Sequence, residues 1–388
     1  MNSSLIWTEI DIAALGHNIR LLKQQTKPHT QFMAVVKANA YGHGMINVAK
    51  HAQQFGASFL GVARLEEAIH LREANIDCPI LILGYTPYCH TAELIHYRLI
   101  PSIFSLETAK GLSTEAQKIG KSIKIHVKID TGMGRLGFVP DLCGNSIMDT
   151  IERGQTIKEI ITVSKLPFLE LQGIFTHFAS ADSPDPTYTQ KQLLLFIKIT
   201  DELREHGIHI PLKHAANSAG IMFFPDSHLD MVRAGIAMYG LAPSGDVEHD
   251  TIHLKPVMSL KSKIVFLKKV PANFNVSYGK TYKTHSETLI ATVPVGYADG
   301  LDRLLSSSGY MIVKGQRVPI IGRVCMDLTM IDVGKIPNVQ VGDEVVVFGT
   351  QERETISVDE IARQLKTINY EIVSTIMDRV PRIEVMGE

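Results

Sequence analysis

The stretch AVVKANAYGHG, residues 34–44, joins a short apolar, β-branched run to a lysine, then to small residues, an aromatic and two glycines. It reads as a buried strand that ends in a functional loop. Burial at the end of an apolar strand disfavours the charge of an unpaired lysine and so populates the neutral nucleophile. Lys37 is therefore either a Schiff-base lysine or a lysine that reaches to the rim and closes off the strand. The stretch alone leaves both open.

Outward from it, apolar runs that read as buried strands recur at 32–36, 59–62, 80–83, 100–104, 123–129, 171–176, 212–215 and 231–236, with helical periodicity between them, as in ARLEEAIHLREA from Ala63 and QKQLLLFIKITDELREHG from Gln190. Upstream, WTEIDI alternates like a strand, and Leu15, Ile19 and Leu22 recur at helical spacing before Pro28. Eight strands alternating with helices fit an α/β fold of the TIM-like (β/α)8 barrel type; a doubly wound open sheet alternates in the same way. After Pro243 the texture changes. A polar loop, SGDVEHDT (244–251), precedes closely spaced β-branched runs, among them VMSLKSKIVFLKKV (257–270), ETLIATVPVGY (287–297) and YMIVKGQRVPIIG (310–322), and only 358–365 looks helical. This predicts a barrel over 12–243 and a mainly antiparallel β domain over 244–388, with a strand in 1–11 packing on the latter.

With 39 basic against 40 acidic side chains in 388 residues, no global field would attract nucleic acid or a membrane surface, so a small molecule is the expected partner. Cys78, Cys89, Cys143 and Cys325 form no C-x-x-C pair and suggest neither a metal site nor a disulfide framework. Glu9 and Asp11 interrupt the place where a signal peptide needs apolar residues, and no run approaches the roughly 20 residues of a membrane span. A cytoplasmic protein with reduced thiols is expected.

In a parallel barrel, catalytic groups sit at the C-terminal strand ends and phosphate at the loops after strands seven and eight. HAANSAG (214–220) ends the seventh strand and MVRAGIAMYGL (231–241) contains the eighth. Ser218 offers a hydroxyl there, and Gly235 and Ile236 offer backbone N–H groups; singly each is an ordinary turn, together they look like a phosphate cradle. Arg233, inside an apolar run, is either a structural ion pair or the partner of a pyridine cofactor's ring nitrogen. HVKIDTGMGRLGF (126–138) places Lys128 and Arg135 by a glycine-rich turn, and GIFTHFASAD (173–182) puts His177 at the end of the sixth strand. In the β domain, VSYGKTY (276–282), VPVGYADGL (293–301) and GRVCMDLTMIDV (322–333) concentrate Tyr278, Tyr297, Cys325, Met326 and Asp327, which alone would read as hairpin turns and core packing.

Together these motifs, in this order from WTEIDI to VPRIEV, closely resemble the alanine racemases, fold-type III enzymes that join a pyridoxal-phosphate-binding (β/α)8 barrel to a β domain. The resemblance implies that Lys37 carries pyridoxal 5'-phosphate and acts as one base, that Tyr41, Ser218, Gly235 and Ile236 contact the phosphate, and that Arg233 meets the pyridine nitrogen. It implies further that Tyr278 is the second base, reaching the active site of the other subunit of a homodimer together with Met326 and Asp327. Arg135 would bind the substrate carboxylate, Lys128 matches a lysine often carbamylated, and His177 would link Arg233 to Tyr278. In the family the lysine serves the α-proton of D-alanine and the tyrosine that of L-alanine, and D-alanine feeds peptidoglycan synthesis. A cationic Arg233 leaves the ring nitrogen unprotonated, favouring simple proton exchange over the deeper carbanion chemistry of decarboxylases. Rival readings are a serine or broad-specificity racemase, a fold-type III decarboxylase, and a noncatalytic pyridoxal-phosphate protein of the single-barrel type. One departure stands out: STIMDRVPR (374–382) has Asp378 where some relatives place a phosphate-contacting tyrosine.

Overall fold

The computed structural model describes residues 4–140, 154–243 and 252–387. Its first strand, β1 (Ile6–Asp11), ends where the Asp11 carboxylate accepts the Ala14 N–H at 2.9 Å and caps the helix Ile12–Gln24. Such a cap contributes about 1 kcal/mol. Leu15, Ile19 and Leu22 share the buried face of that helix, as the 3.6-residue period requires.

Eight parallel strands follow: β2 (Gln31–Val35), β3 (Phe59–Val62), β4 (Ile80–Ile82), β5 (Ile100–Ile103), β6 (Ile123–Lys128), β7 (Leu169–Phe175), β8 (Leu212–His214) and β9 (Met231–Ala234). Each lies within two residues of its expected ends. Sequence neighbours pair from β2 to β8, and β9 returns to pair with β2, so the sheet curls back on itself. At the seam β8 and β9 form no ladder; instead the N–H groups of Asp230 and Arg233 donate to the carbonyls of Lys213 and Ala216 at 3.1 and 3.0 Å. The result is a nearly closed barrel, which excludes the open doubly wound sheet. Helices such as Leu65–Glu73 and Thr187–Glu205 supply the crossovers that parallel pairing demands.

The remainder is mainly antiparallel. Met258–Lys263 pairs with β1 on one side, Ile10 opposite Met258, and with Glu344–Gln351 on the other; Arg382–Val385 adds a parallel edge strand to β1. A second sheet of Phe266–Val270, Thr288–Val293 and Thr329–Asp332 packs nearby. One sequence expectation needs correction: besides Val358–Leu365, Asn369–Ser374 is also helical. Six residues are too few to establish a helical period, and its buried Ile372 and Val373 find their partners only in the tertiary fold. The loop 244–251 and Cys143 lie outside the described residues; Cys78, Cys89 and Cys325 are free thiols.

Candidate active site

Strand β2 stops at Val35, and the chain then makes one tight turn, Lys37–Tyr41, in which Ala38, Asn39, Ala40 and Tyr41 have φ of 51, 52, 54 and 52°. Left-handed conformation costs an L-residue about 1–2 kcal/mol, so four in succession must be held from outside. Glu67 does so at the start, its carboxylate accepting the N–H groups of Ala38 (2.6 Å) and Ala63 (2.7 Å). At the end, Arg382 Nε donates to the Gly42 carbonyl at 3.0 Å, and the Asn39 side chain accepts the Met45 N–H at 2.8 Å. The turn delivers the Lys37 amine to the C-terminal mouth of the barrel, 5.9 Å from the centre of the Tyr41 ring. Burial first and the Arg135 charge second lower its pKa, with Glu67 opposing.

Arg135 is placed by the DTGMGR loop. Asp130 accepts four successive N–H groups, those of Gly132, Met133 and Gly134 on Oδ1 (3.0, 2.7 and 3.0 Å) and that of Arg135 on Oδ2 (2.9 Å). Burial works against this carboxylate, but the four donors outweigh it and hold its pKa below the usual value. Lys128, buried at the end of β6, lies 5.6 Å from the centre of the Phe175 ring. Burial, then Arg135 and Arg233, pull its amine down to about 8.

Arg233, buried on β9, is held without a salt bridge among the described residues. Nη1 donates to His214 Nδ1 at 2.9 Å, and Nη2 meets the carbonyls of Thr176 and Ala215 (2.7 and 2.8 Å) and His177 Nδ1 (3.2 Å). Burial lowers its guanidinium to about 9, which leaves it cationic at neutral pH. His177 is pushed well below its ordinary value by burial and then by Arg233, Arg135, Lys128 and Lys37. One neutral imidazole thus stands among four basic side chains.

The loops after β8 and β9 meet at a hydroxyl. Asn217 caps the short helix Ser218–Phe223, its side chain accepting the Gly220 N–H at 2.9 Å, and Ser218 Oγ accepts the N–H groups of Gly235 (2.9 Å) and Ala237 (3.3 Å) on either side of Ile236. A Cβ at Gly235 would stand 2.8 Å from Tyr41 Oη and 3.8 Å from Ser218 Oγ, so glycine keeps that space open beneath the two hydroxyls. Tyr41 packs on Tyr239 and Tyr370, ring centres 5.0 and 6.0 Å away.

The barrel thereby brings together Lys37, Tyr41, Lys128, Arg135, His177, Ser218, Arg233, Gly235 and Ile236. Tyr278, Met326 and Asp327 take no part in these contacts. Tyr278 follows Ser277, whose φ is 63° and whose Oγ donates to the Arg323 carbonyl at 2.7 Å, and it projects 72 % exposed. Met326 is 53 % exposed, and Asp327 is gripped at 2.7 Å by Arg379, which also binds Asp299 at 2.7 Å.

Residues 10–243 match the family model for the alanine racemase N-terminal domain and 257–384 the model for the alanine racemase C-terminal domain. The chain belongs to the alanine racemase family. An alanine racemase of Desulfosudis oleivorans is 49 % identical over 387 residues, covering all of this chain and 98 % of that protein. The solved alanine racemase of Clostridium difficile superposes with a TM-score of 0.92 at 40 % identity, over all of this chain and 97 % of that one. That of Bartonella henselae, solved with covalently bound pyridoxal phosphate, gives a TM-score of 0.85 at 29 % identity, over 98 % of this chain and all of that one.

Within this alanine racemase fold, Asp378 is exposed and accepts a hydrogen bond from Asn39 Nδ2 at 3.1 Å, bracing the turn after Lys37. Tyr370, on the helix the sequence reading missed, is the aromatic that packs on Tyr41 from the C-terminal segment. Glu67 and Gln192 were also not singled out. Gln192 Oε1 accepts the Ala179 N–H at 2.9 Å and its Nε2 donates to the His177 carbonyl at 3.2 Å, fixing the loop that carries His177. Both sit on helical faces where a polar residue ordinarily means solvent exposure, so nothing in their local pattern marks them.

Proposed function

We propose that this protein is a pyridoxal-phosphate-dependent alanine racemase that interconverts L- and D-alanine, works as a cytoplasmic homodimer with shared active sites, and supplies D-alanine for peptidoglycan synthesis. The barrel of residues 12–243 would bind the cofactor, and 244–388, with the strand in 1–11, would form the β domain. The observation that carries the reading is the group of four basic side chains, Lys37, Lys128, Arg135 and Arg233, around His177 beside the Ser218–Gly235–Tyr41 cradle. Two anionic groups suit that pocket: a phosphate in the cradle and a substrate carboxylate near Arg135.

The cofactor, when bound, would make the α-proton of an amino acid attached to it removable. Lys37 would hold it covalently, Tyr41, Ser218, Gly235 and Ile236 would bind its phosphate, and Arg233 would face its ring nitrogen. A guanidinium in that place donates a hydrogen bond and keeps its proton, which limits electron withdrawal and suits proton exchange over decarboxylation. Inversion needs a base on each face of the α-carbon. The neutral Lys37 amine would serve one face and Tyr278 of the partner subunit the other, with the partner's Met326 and the partner's Asp327 lining the substrate side. His177 accepts from Arg233 at Nδ1, so its proton resides on Nε2, a donor able to favour the anion of the tyrosine. A carbamate on Lys128 would provide an anion to position Arg135.

The test is to mix the pyridoxal-phosphate-loaded protein with L-alanine in heavy water and follow optical rotation and α-deuterium together. Decay of rotation with deuterium at the α-carbon is expected. Neither change, or release of carbon dioxide, would overturn the reading.

A further inference from the structure

Behind Arg233 lies a line of polar side chains that runs through the barrel interior and that none of the steps above uses. Arg233 Nη1 meets His214 Nδ1 at 2.9 Å; His214 Nε2 meets His126 Nδ1 at 2.9 Å; both rings are fully buried. At the far end, His126 Nε2 and Gln172 Oε1 are both buried polar atoms that make no hydrogen bond, and the Gln172 side chain is the neighbour that favours the charged form of His126 against its burial. The line is built to be narrow. Gly173, opposite His126 across β6 and β7, leaves room for the imidazole: a Cβ there would come within 2.5–2.7 Å of three of its ring atoms. Phe175 stacks on His214 with centres 4.8 Å apart and planes 6° from parallel.

The polarity of every link follows from the first. A guanidinium has only donors, so His214 Nδ1 must accept and the His214 proton is on Nε2. That N–H donates to His126 Nδ1, which places the His126 proton on Nε2, the atom left without a partner, as Gln172 Oε1 is. We propose that His214, His126 and Gln172 form a one-directional relay of hydrogen bonds whose polarity Arg233 sets and in which the Gln172 oxygen takes the His126 proton, with His126 and Gln172 as positioning residues that hold the His214 ring in place and so fix the direction in which Arg233 presents its remaining N–H groups to the ligand. Two neutral imidazoles let a buried cation stand without a carboxylate counter-ion; an anion in their place would neutralise Arg233 and weaken its preference for an unprotonated ring nitrogen. The functional half of this proposal rests on the assignment of Arg233 to the pyridine nitrogen; the tautomeric half does not.

The tautomers are read by long-range 15N–1H correlation on the protein labelled with 15N-histidine, with and without pyridoxal phosphate, His126 and His214 being assigned through their variants. Both rings are expected with a bare Nδ1 and a protonated Nε2. A protonated Nδ1 or an imidazolium on either overturns the relay, whether or not the protein proves to bind the cofactor. In the holoenzyme, His126→Leu removes the acceptor for the His214 Nε2 proton, and the expected result is a changed His214 Nε2–H signal with faster solvent exchange, a shifted cofactor absorbance, and a kcat lowered roughly ten- to a hundredfold at little-changed KM, the range found when partners of metal-bound ligands are removed. His126→Asn, which returns an acceptor oxygen near the place of Nδ1, is expected to recover most of the loss. Gln172→Leu, at the half-buried end, should act in the same direction should His126→Leu fail to fold. A folded His126→Leu or Gln172→Leu protein with an unchanged His214 Nε2–H signal, absorbance and kcat overturns the proposal.

Discussion

Burial and the nearby Arg135 and Arg233 hold the Lys128 amine at about 8, so near pH 8 about half of it is free amine, against under ~1 % of an ordinary lysine. The sign is plain: a depressed lysine pKa means that more nucleophile appears as pH rises through 8, whereas an ordinary lysine stays charged there. With 13C-bicarbonate at constant dissolved carbon dioxide, a carbamate carbon on Lys128 is expected to grow in between about pH 6.5 and 8.5, visible by 13C NMR and absent in Lys128→Arg. No labelled carbon at any pH in that range would refute it. At Tyr278, the equilibrium constant of racemisation constrains what a variant can show. Because the enantiomers are equal in free energy, Tyr278→Phe must lose kcat/KM equally in both directions, by about 10²–10⁴ if it removes a general base. The discriminating signal is solvent exchange: D-alanine should still exchange its α-proton through Lys37, while L-alanine should not. Exchange from L-alanine alone would reverse the assignment of the faces.

The left-handed turn after β2 is the element on which the barrel site depends, and its far end has no slack. Gly42 has φ of 82°, and a Cβ there would stand 2.0 Å from the Val373 carbonyl. Gly42→Ala is therefore expected to destabilise the protein by about 1–3 kcal/mol and to push the C-terminal segment off the turn, since both the dihedral and the contact are violated. Thermal unfolding and the covalent cofactor load after borohydride reduction should fall together; an unchanged melting temperature would show that the clamp is dispensable. At this scale the sequence was legible wherever repetition carried the signal. The eight apolar runs of the barrel are regular and long enough to recognise. The helix Asn369–Ser374 and the handedness of the turn 38–41 were not, because a six-residue helix shows no period and because left-handed φ at Ala38 and Ala40 is imposed by Glu67, Arg382 and Val373 rather than by the residues themselves.

For the whole molecule, the barrel mouth holds cations and a cradle but not Tyr278, which one chain leaves exposed on its β domain. A two-fold dimer that exchanges these loops makes a sharp prediction by complementation. Lys37→Ala and Tyr278→Phe proteins, each inactive, are mixed and allowed to exchange subunits. Half the dimers are then mixed, each with one intact site of two, and about a quarter of wild-type activity is expected from that symmetry. No recovery after subunit exchange has been verified by mass tags would sink the shared site.

Composition, periodicity and motif order by themselves determined the alternation of strands and helices, the change of texture after Pro243, and the residue types gathered at the strand ends, because these are local or repetitive properties that a linear chain displays. Closure of the barrel was decided by pairing of β9 with β2, between residues some 200 apart in sequence, and the bracing of Lys37 by Glu67, Asp378 and Arg382 was likewise a matter of distant contacts. The same holds for the line from Arg233 to Gln172. Its members come from β6, β7, β8 and β9, and the direction of its hydrogen bonds exists only once a guanidinium that can only donate is buried against rings that can do either.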